Sequence, residues 1–138
     1  MNGRRVVLAS APPPCGASQR PDVVALERWL RSDDVVGPDG AVRSWWSIDG
    51  SAYDYPEAAG LWLQAFASAA ASGDAGQVDR VAAWLAASVA PDGGVGRDGQ
   101  RYLFDAAMAL SGLVAHASVR PDRAHSAAMA ALNGFVLR

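Results

Sequence analysis

An internal repeat restricts the possible folds of this chain more than any other feature of its sequence. A Trp-Leu pair, a short spacer and a Pro-Asp-Gly triplet occur in residues 25–46 and again in residues 80–99. The second Trp-Leu pair follows the first by 55 residues, and the second triplet follows the first by 53. Arg-Pro-Asp occurs twice as well, each time before a helical pattern. A period of this length indicates tandem supersecondary units that bury their apolar faces against one another.

Each unit is predicted to be a pair of helices, of which the first is amphipathic. Residues 75–89 place three valines and one leucine on one stripe at helical spacing, with charged residues off it. Asp74 and Gln77 have the spacing of a capping box at its start. Pro91 and the glycines that follow are expected to end it.

The second helix of each unit is apolar nearly all round. The patterns over 58–71 and 106–117 lack a polar face, which predicts burial on all sides. Alternation of half-buried and fully buried helices indicates an outer and an inner layer, with a last outer helix over 122–137. Alternating β-branched runs are absent, so no sheet is expected. We therefore predict an all-α domain over 21–138, made of antiparallel helical hairpins in two layers with about five helices, after a flexible segment over 1–20.

Composition excludes several classes of function. The chain has 12 basic and 14 acidic residues and no basic block, so neither nucleic acid nor an anionic membrane is an expected partner. Cys15 is the single cysteine, which excludes an intramolecular disulfide and a cysteine metal cluster. No apolar run approaches the roughly 18 residues of a membrane span. A cytoplasmic location is the expectation.

The motifs of the two repeat units also resemble those of a known protein superfamily. An outer helix ending in WL, a PDGG loop and an inner helix opening with YPE or FD resemble the α/α-toroid proteins. These include six-hairpin glycosidase-like enzymes, sugar epimerases of the uronyl C5-epimerase type, and prenyltransferase or terpene-cyclase toroids. The stretches YPEAAG and PDGGVG…YLFDAAMALSGL are most similar to carbohydrate-acting or uncharacterised bacterial toroid domains, and the similarity covers roughly residues 22–138.

The resemblance is to a partial toroid. About two and a half hairpins are predicted here, fewer than a closed toroid holds, and an unfinished repeat stack leaves an apolar face uncovered. We therefore expect either self-association or a missing C-terminal remainder of the toroid. The DxDD box of terpene cyclases is absent, since Asp33 and Asp34 form only a bare pair.

Two acidic residues are the candidate catalytic groups. Glu57 opens the first inner helix, and Asp105 is aligned with it because Glu-Ala-Ala and Asp-Ala-Ala match at an offset of 48 residues. At the mouth of a toroid cavity they would form a paired acid and base acting on a sugar. The alternative is structural: Asp54 and Glu57 have the spacing of a helix start, Pro56 suits the first turn, and a carboxylate there is favoured by the helix dipole.

Aromatic residues in the loops before these helices are the candidate substrate-binding groups. Aromatic faces near carboxylates suit sugar rings, and hydroxyl edges can bond to sugar hydroxyls. The alternative is that they close the loop end of an alanine-rich core. The candidate set, with the acidic Asp54 between two of the tyrosines, is Trp45, Trp46, Tyr53, Asp54, Tyr55 and Tyr102.

Other motifs favour structural roles. The PDG loops lack the frame of a phosphate-binding loop and are interpreted as turns. His116 and His125 lie on different elements without a carboxylate at ligand spacing, so neither a metal nor another cofactor is expected. Trp29, Trp62 and Trp84 are predicted to be core residues.

Three classes of function remain open from the sequence. The first is a carbohydrate-active enzyme, or an N-terminal fragment of one, that uses Glu57 and Asp105 on a small-molecule sugar ligand. The second is a non-catalytic helical-repeat scaffold or interaction domain. The third is an isoprenoid-handling toroid with an apolar cavity.

Overall fold

The computed structural model describes residues 21–44, 53–72 and 75–138, and this part of the chain is helical. Within it, the only extended pairings are isolated bridges between Val36 and Val42 and between Arg43 and Asp54. The all-α fold of about five helices is thereby confirmed. The helices are α1 (Val23–Leu30), α2 (Pro56–Phe66), α3 (Ala75–Ala87), α4 (Leu103–Val119) and α5 (Ser126–Val136), with 3₁₀ turns at Ala67–Ser72 and Pro121–Arg123.

Two helix starts differ in detail from the sequence patterns. The N-cap of α2 is Tyr55, which makes no side-chain capping bond, so the Asp54–Glu57 spacing forms no capping box. Pro56 occupies the first turn, as predicted. At α3, Asp74 lies outside the described residues, and the side-chain amide of Gln77 donates to the carbonyl of Arg31 at 2.8 Å. That bond ties the start of α3 to the end of α1.

The centre of the molecule is the crossing of α2 and α4, which depends on two glycines. A Cβ atom at Gly112 would lie 2.6 Å from the Cα of Gly60, and one at Gly60 would overlap the carbonyl oxygen of Met108. The hydroxyl of Tyr55, at the start of α2, reaches Asp105 near the start of α4, while Gly60 meets α4 further along. The two helices therefore run in the same general direction, with their N-terminal ends side by side. The helix α3 packs against both of them, and α5 packs against α4.

The repeat is present in the backbone conformation as well as in the amino-acid sequence. Asp39 accepts a bond from the amide of Ala41, and Asp92 accepts one from the amide of Gly94, so both PDG triplets form the same turn. Their glycines both have positive φ, +94° at Gly40 and +85° at Gly93. The first turn packs against the backbone of α3 at Arg80 and Val81, and the second against the backbone of α5 at Ala131. Each PDG turn thus supports the amphipathic helix of the next unit.

Backbone geometry sets the repeat register of α2 and α4 at 47 residues. Tyr55 and Tyr102 are the extended N-caps of these helices, and their amides bond to the equivalent carbonyls of Val42 and Val95. Burial agrees, since Ala59 and Ala106 are both fully buried. The offset of 48 inferred from Glu-Ala-Ala and Asp-Ala-Ala was wrong by one residue. Asp105 is equivalent to Ala58, and Glu57 to Phe104.

Several expectations about burial were wrong. Trp29 is 48% exposed and α1 contains no buried residue, although Trp62 is in the core and Trp84 packs partly against it. Nor are α2 and α4 buried on all sides, because Leu61 and Phe104 are exposed. Apolar composition alone predicted complete burial, but neighbouring elements cover only part of the surface of each of these helices. None of the helices in the described ranges is both long and apolar enough to cross a bilayer.

Candidate functional site

The candidate site lies where the N-terminal ends of α2 and α4 meet. Tyr55 precedes the first residue of α2, and Tyr102 precedes the first residue of α4. The backbone bonds to Val42 and Val95 hold the two tyrosines in equivalent positions. Because the helices run in the same direction, their positive dipole ends and first-turn acids are brought to one end of the molecule.

A buried hydrogen bond joins the two repeats at this end. The hydroxyl of Tyr55 donates to Oδ2 of Asp105 at 2.7 Å, and Asp105 is only 3% exposed. This bond, followed by burial, raises the pKa of the Tyr55 phenol. The phenol therefore remains a donor, which satisfies a carboxyl group that burial would otherwise leave unpaired.

Glu57 lies in the first turn of α2 with its side chain partly buried. Burial, and then the neighbouring Asp105, raise the pKa of the Glu57 carboxyl above its usual value. A helix N-terminus by itself favours the ionised form, so desolvation and like charge outweigh the dipole here. The structure thus places the two acidic candidates at one end of the molecule in unlike environments, since Glu57 is partly buried and Asp105 is almost fully buried.

Three of the predicted aromatic residues cluster beside the acids. The rings of Tyr53 and Tyr55 meet edge to face with centroids 5.6 Å apart. The guanidinium of Arg97 lies 3.8 Å from the centroid of Tyr53 and pairs with Asp98 at 3.1 Å. The hydroxyl of Tyr102 donates a hydrogen bond to the side-chain oxygen of Gln100.

Two neighbouring cavities open at this end, and they share Tyr53 and Tyr55. The first, here called the Glu57 cavity, has a volume of about 240 Å³ and is also lined by Ser44, Ala58 and Leu61. The second, the tyrosine cavity, has a volume of about 300 Å³. It is lined by Arg97, Asp98, Gln100 and Tyr102 together with the two shared tyrosines.

The remaining candidates are not part of this arrangement. Asp54 is exposed and lines neither cavity. Trp45 and Trp46 lie outside the described residues. The sequence reasoning missed Arg97 and Gln100, which lie in a loop interpreted only as a turn. The signal for them was the Arg-Asp-Gly-Gln stretch directly before Arg101 and Tyr102.

A second polar cluster, also missed, joins α3, α4 and the start of α5. Nε2 of His116, a fully buried residue, lies 3.0 Å from Oδ1 of Asp79, and the His116 ring stacks on His125 with centroids 5.9 Å apart. Arg120 and Arg123 pair with the same aspartate at 3.1 and 3.7 Å. Both arginines are also near Asp122, so the positive charges are matched. Within the described ranges, no group of three His, Cys, Asp or Glu side chains is arranged to hold a metal ion.

The histidine pair predicts acid sensitivity. Burial, and then the neighbouring His116, lower the pKa of His125, with Asp79 acting in the opposite direction. The unfolded chain therefore binds a proton at His125 more readily than the folded chain does. As a result, His125 lowers the free energy of unfolding as the pH falls from about 7.5 through its lowered pKa. We expect His125→Gln to flatten the decline of the melting temperature over this range.

The measurement is a series of thermal melts from about pH 7.5 to about pH 5.5 on both proteins. Glu57 works in the opposite sense, since its raised pKa adds stability as the pH falls, but it is common to both proteins and cancels in the comparison. Equal slopes for the two proteins would contradict the prediction.

The chain was also compared with known proteins. It matches no protein-family model, and no curated protein or solved structure shows significant similarity to it.

Proposed function

We propose that the N-terminal ends of α2 and α4 bind a carbohydrate and that Glu57 transfers a proton to it. The observation that carries the proposal is a carboxyl group of raised pKa in a cavity lined by two tyrosines. Perturbed acids in clefts are more frequent at functional sites than elsewhere. The resemblance to α/α-toroid enzymes supports the same substrate class.

The chemistry follows from the two environments. An acid whose pKa is raised holds its proton more readily than a free carboxyl group does, and it can donate that proton to a leaving-group oxygen or exchange it at a sugar carbon. Tyrosine rings offer apolar faces to a sugar ring and hydroxyls to its polar edge. Tyr53 supplies these groups beside Glu57, and Tyr102 supplies them in the adjoining tyrosine cavity.

In this proposal Asp105 is a positioning residue. Its burial, and its bond to Tyr55, keep it beneath the cavity surface. From there it raises the pKa of Glu57 and fixes the Tyr55 ring at the boundary of both cavities. We thus assign proton transfer to substrate to Glu57. Asp105 has the separate role of raising the pKa of Glu57 through its charge.

Glu57→Gln tests the proposal. Proton NMR of the protein with a panel of neutral and uronic-acid oligosaccharides detects both bond cleavage and epimerisation. We expect at least one substrate to be turned over, and the substitution to reduce turnover by about 10²–10⁴-fold while binding persists. Asp54→Asn is the matched control, because Asp54 lies outside both cavities, and it should leave turnover unchanged.

The free energy of unfolding of Glu57→Gln provides a second test of the proposal. Since burial and the neighbouring Asp105 disfavour the ionised form of Glu57 in the folded state, Gln at this position should raise the free energy of unfolding at neutral pH. A residue that only helps to start the helix would instead cost about 0.3–1 kcal/mol when neutralised. The proposal fails if no oligosaccharide is bound or altered, or if Glu57→Gln and Asp54→Asn are equally active.

A second candidate function, a helical-repeat interaction unit, is favoured by the exposed apolar side chains of α2 and α4. In that case Glu57→Gln changes stability alone, and no sugar is altered.

A further inference from the structure

A tight turn in the loop before α4 holds two polar side chains next to each other. The amide of Gln100 donates to the carbonyl of Arg97 at 2.9 Å, and the two residues between them have positive φ, +53° at Asp98 and +78° at Gly99. Positive φ at both central residues is the pattern of a type I′ turn, in which Asp-Gly is a favoured pair. Arg97 and Gln100 therefore occupy the first and fourth positions of one turn, and both line the tyrosine cavity.

The guanidinium of Arg97 is positioned by an aromatic ring. It lies 3.8 Å from the centroid of Tyr53, within the range of a cation–π interaction. The Tyr53 ring in turn meets the ring of Tyr55, whose hydroxyl donates to Asp105. A continuous chain of contacts thus links the buried hydrogen bond of the candidate site to a positive charge in the wall of the tyrosine cavity.

This positive charge is only weakly compensated. Nε of Arg97 pairs with Oδ2 of Asp98 at 3.1 Å, and the Asp98 side chain is 80% exposed. Water screens such an exposed pair, so it contributes little. Within the described residues the Arg97 side chain makes no other ion pair and no hydrogen bond to another side chain. Its terminal nitrogens form a planar edge that can bind two oxygens of an anion at once.

Gln100 adds further donors to the same wall. Its side-chain oxygen accepts the hydroxyl proton of Tyr102, so the NH₂ group is the part of the amide that remains for a ligand. Arg97 and Gln100 together therefore present N–H donors to the cavity. Such a wall favours a ligand group that only accepts hydrogen bonds and carries a negative charge.

We propose that the tyrosine cavity binds an anionic substituent of the sugar, a carboxylate or a sulfate ester, and that Arg97 determines this specificity. The inference rests on the proposed carbohydrate function, because it concerns a second part of the same ligand. The two cavities share a wall of two tyrosines, so a ligand that spans them places its acidic group at Arg97 and its reacting group at Glu57. Charge recognition and proton transfer then belong to different residues.

Matched pairs of ligands test the proposal. Calorimetric titration compares each uronic-acid oligosaccharide of the panel with its methyl ester, and sulfated oligosaccharides with their desulfated forms. We expect the charged member of at least one pair to bind about tenfold more tightly than the neutral member, because it gains charge-assisted hydrogen bonds. The pair that shows this preference identifies the anion.

Arg97→Gln should bring the two members of that pair to nearly equal affinity. Because the Arg97 side chain is half-exposed, the circular dichroism spectrum of this variant should be retained. Arg101→Gln is the matched control. It removes the same charge close by in the sequence, but Arg101 pairs with Asp92 and does not line the cavity, so the preference should persist.

Asp98→Asn tests the same contact in the opposite direction. Asparagine tolerates positive φ and has no charge that competes for the guanidinium. The charged ligand should therefore bind about twofold to fivefold more tightly, while the affinity of the neutral ligand stays unchanged. Added salt should weaken the binding of the charged ligand to the wild-type protein much more than to Arg97→Gln.

The outcomes separate this inference from the carbohydrate proposal. Equal affinity for both members of every pair overturns the inference and leaves the carbohydrate proposal intact, as does a preference that survives Arg97→Gln. If no oligosaccharide of either kind binds, both fail. Glu57→Gln should lose turnover and keep the preference for the charged ligand, and loss of that preference would place charge recognition at Glu57 instead of Arg97.

Discussion

Gly60→Ala should destabilise the fold by about 2 kcal/mol, although alanine is the better helix former. Alanine gains about 1 kcal/mol over glycine inside a helix. At Gly60, however, the new methyl group overlaps the carbonyl oxygen of Met108 and lies 2.9 Å from the amide nitrogen of Ala109. These are backbone atoms that cannot rotate away, so α2 and α4 must separate along their crossing, and the overpacking outweighs the propensity gain.

Gly134→Ala is the matched control. This glycine also lies inside a helix, α5, but beyond its chain neighbours and the adjacent turns of its own helix backbone, no atom lies within 4 Å of the position its Cβ would take. The same chemical change should therefore raise stability, by up to about 1 kcal/mol. Thermal or urea unfolding of both variants should give shifts of opposite sign, with a fall of roughly 10 °C for Gly60→Ala. Similar shifts for the two would show that α2 and α4 do not cross at this glycine.

The crossing also determines the candidate site. Tyr55 stands one residue before α2, and Asp105 stands in the first turn of α4, so the spacing of the helices sets the bond between them. A separated crossing lengthens that bond and removes Asp105 from the surroundings of Glu57. Stability and the raised pKa of Glu57 are therefore linked through Gly60.

The sequence was sufficient for the helices and the repeat because both depend on local signals. Apolar periodicity identified α3, and the PDG triplets marked turns whose glycines have positive φ. The register between α2 and α4 was harder to predict. Matching Glu-Ala-Ala with Asp-Ala-Ala gives an offset that is one residue larger than the offset of the backbone. The N-cap tyrosines define the backbone register, and nothing in local sequence distinguishes them from other tyrosines.

The contacts of the site were beyond local reasoning. Tyr55 and Asp105 are separated by 50 residues, and Asp79 and His116 by 37. Only the packing of α2 on α4 and of α3 on α4 brings these pairs together. Burial failed for the same reason, because apolar composition shows which residues favour a core but not which faces of α1, α2 and α4 find partners.

Gly93→Ala should be the other strongly destabilising change, with a loss of more than about 3 kcal/mol. Two costs add at this position. The φ of +85° is a left-handed conformation that costs an alanine about 1–2 kcal/mol. In addition, a Cβ atom would overlap the carbonyl oxygen of Ala131 and lie 2.7 Å from its carbonyl carbon, which forces the PDG turn away from α5.

Gly99→Ala separates these two costs. Gly99 has a similar φ of +78°, but no atom other than those of its chain neighbours lies within 4 Å of the position that a methyl group would take there. It should lose only the conformational term, about 1–2 kcal/mol. Gly40→Ala should behave like Gly93→Ala, because the first PDG turn packs in the same way on the backbone of α3. Equal losses for Gly93→Ala and Gly99→Ala in urea unfolding would mean that the second turn does not pack on α5. In that case the two units of the repeat would not share one architecture.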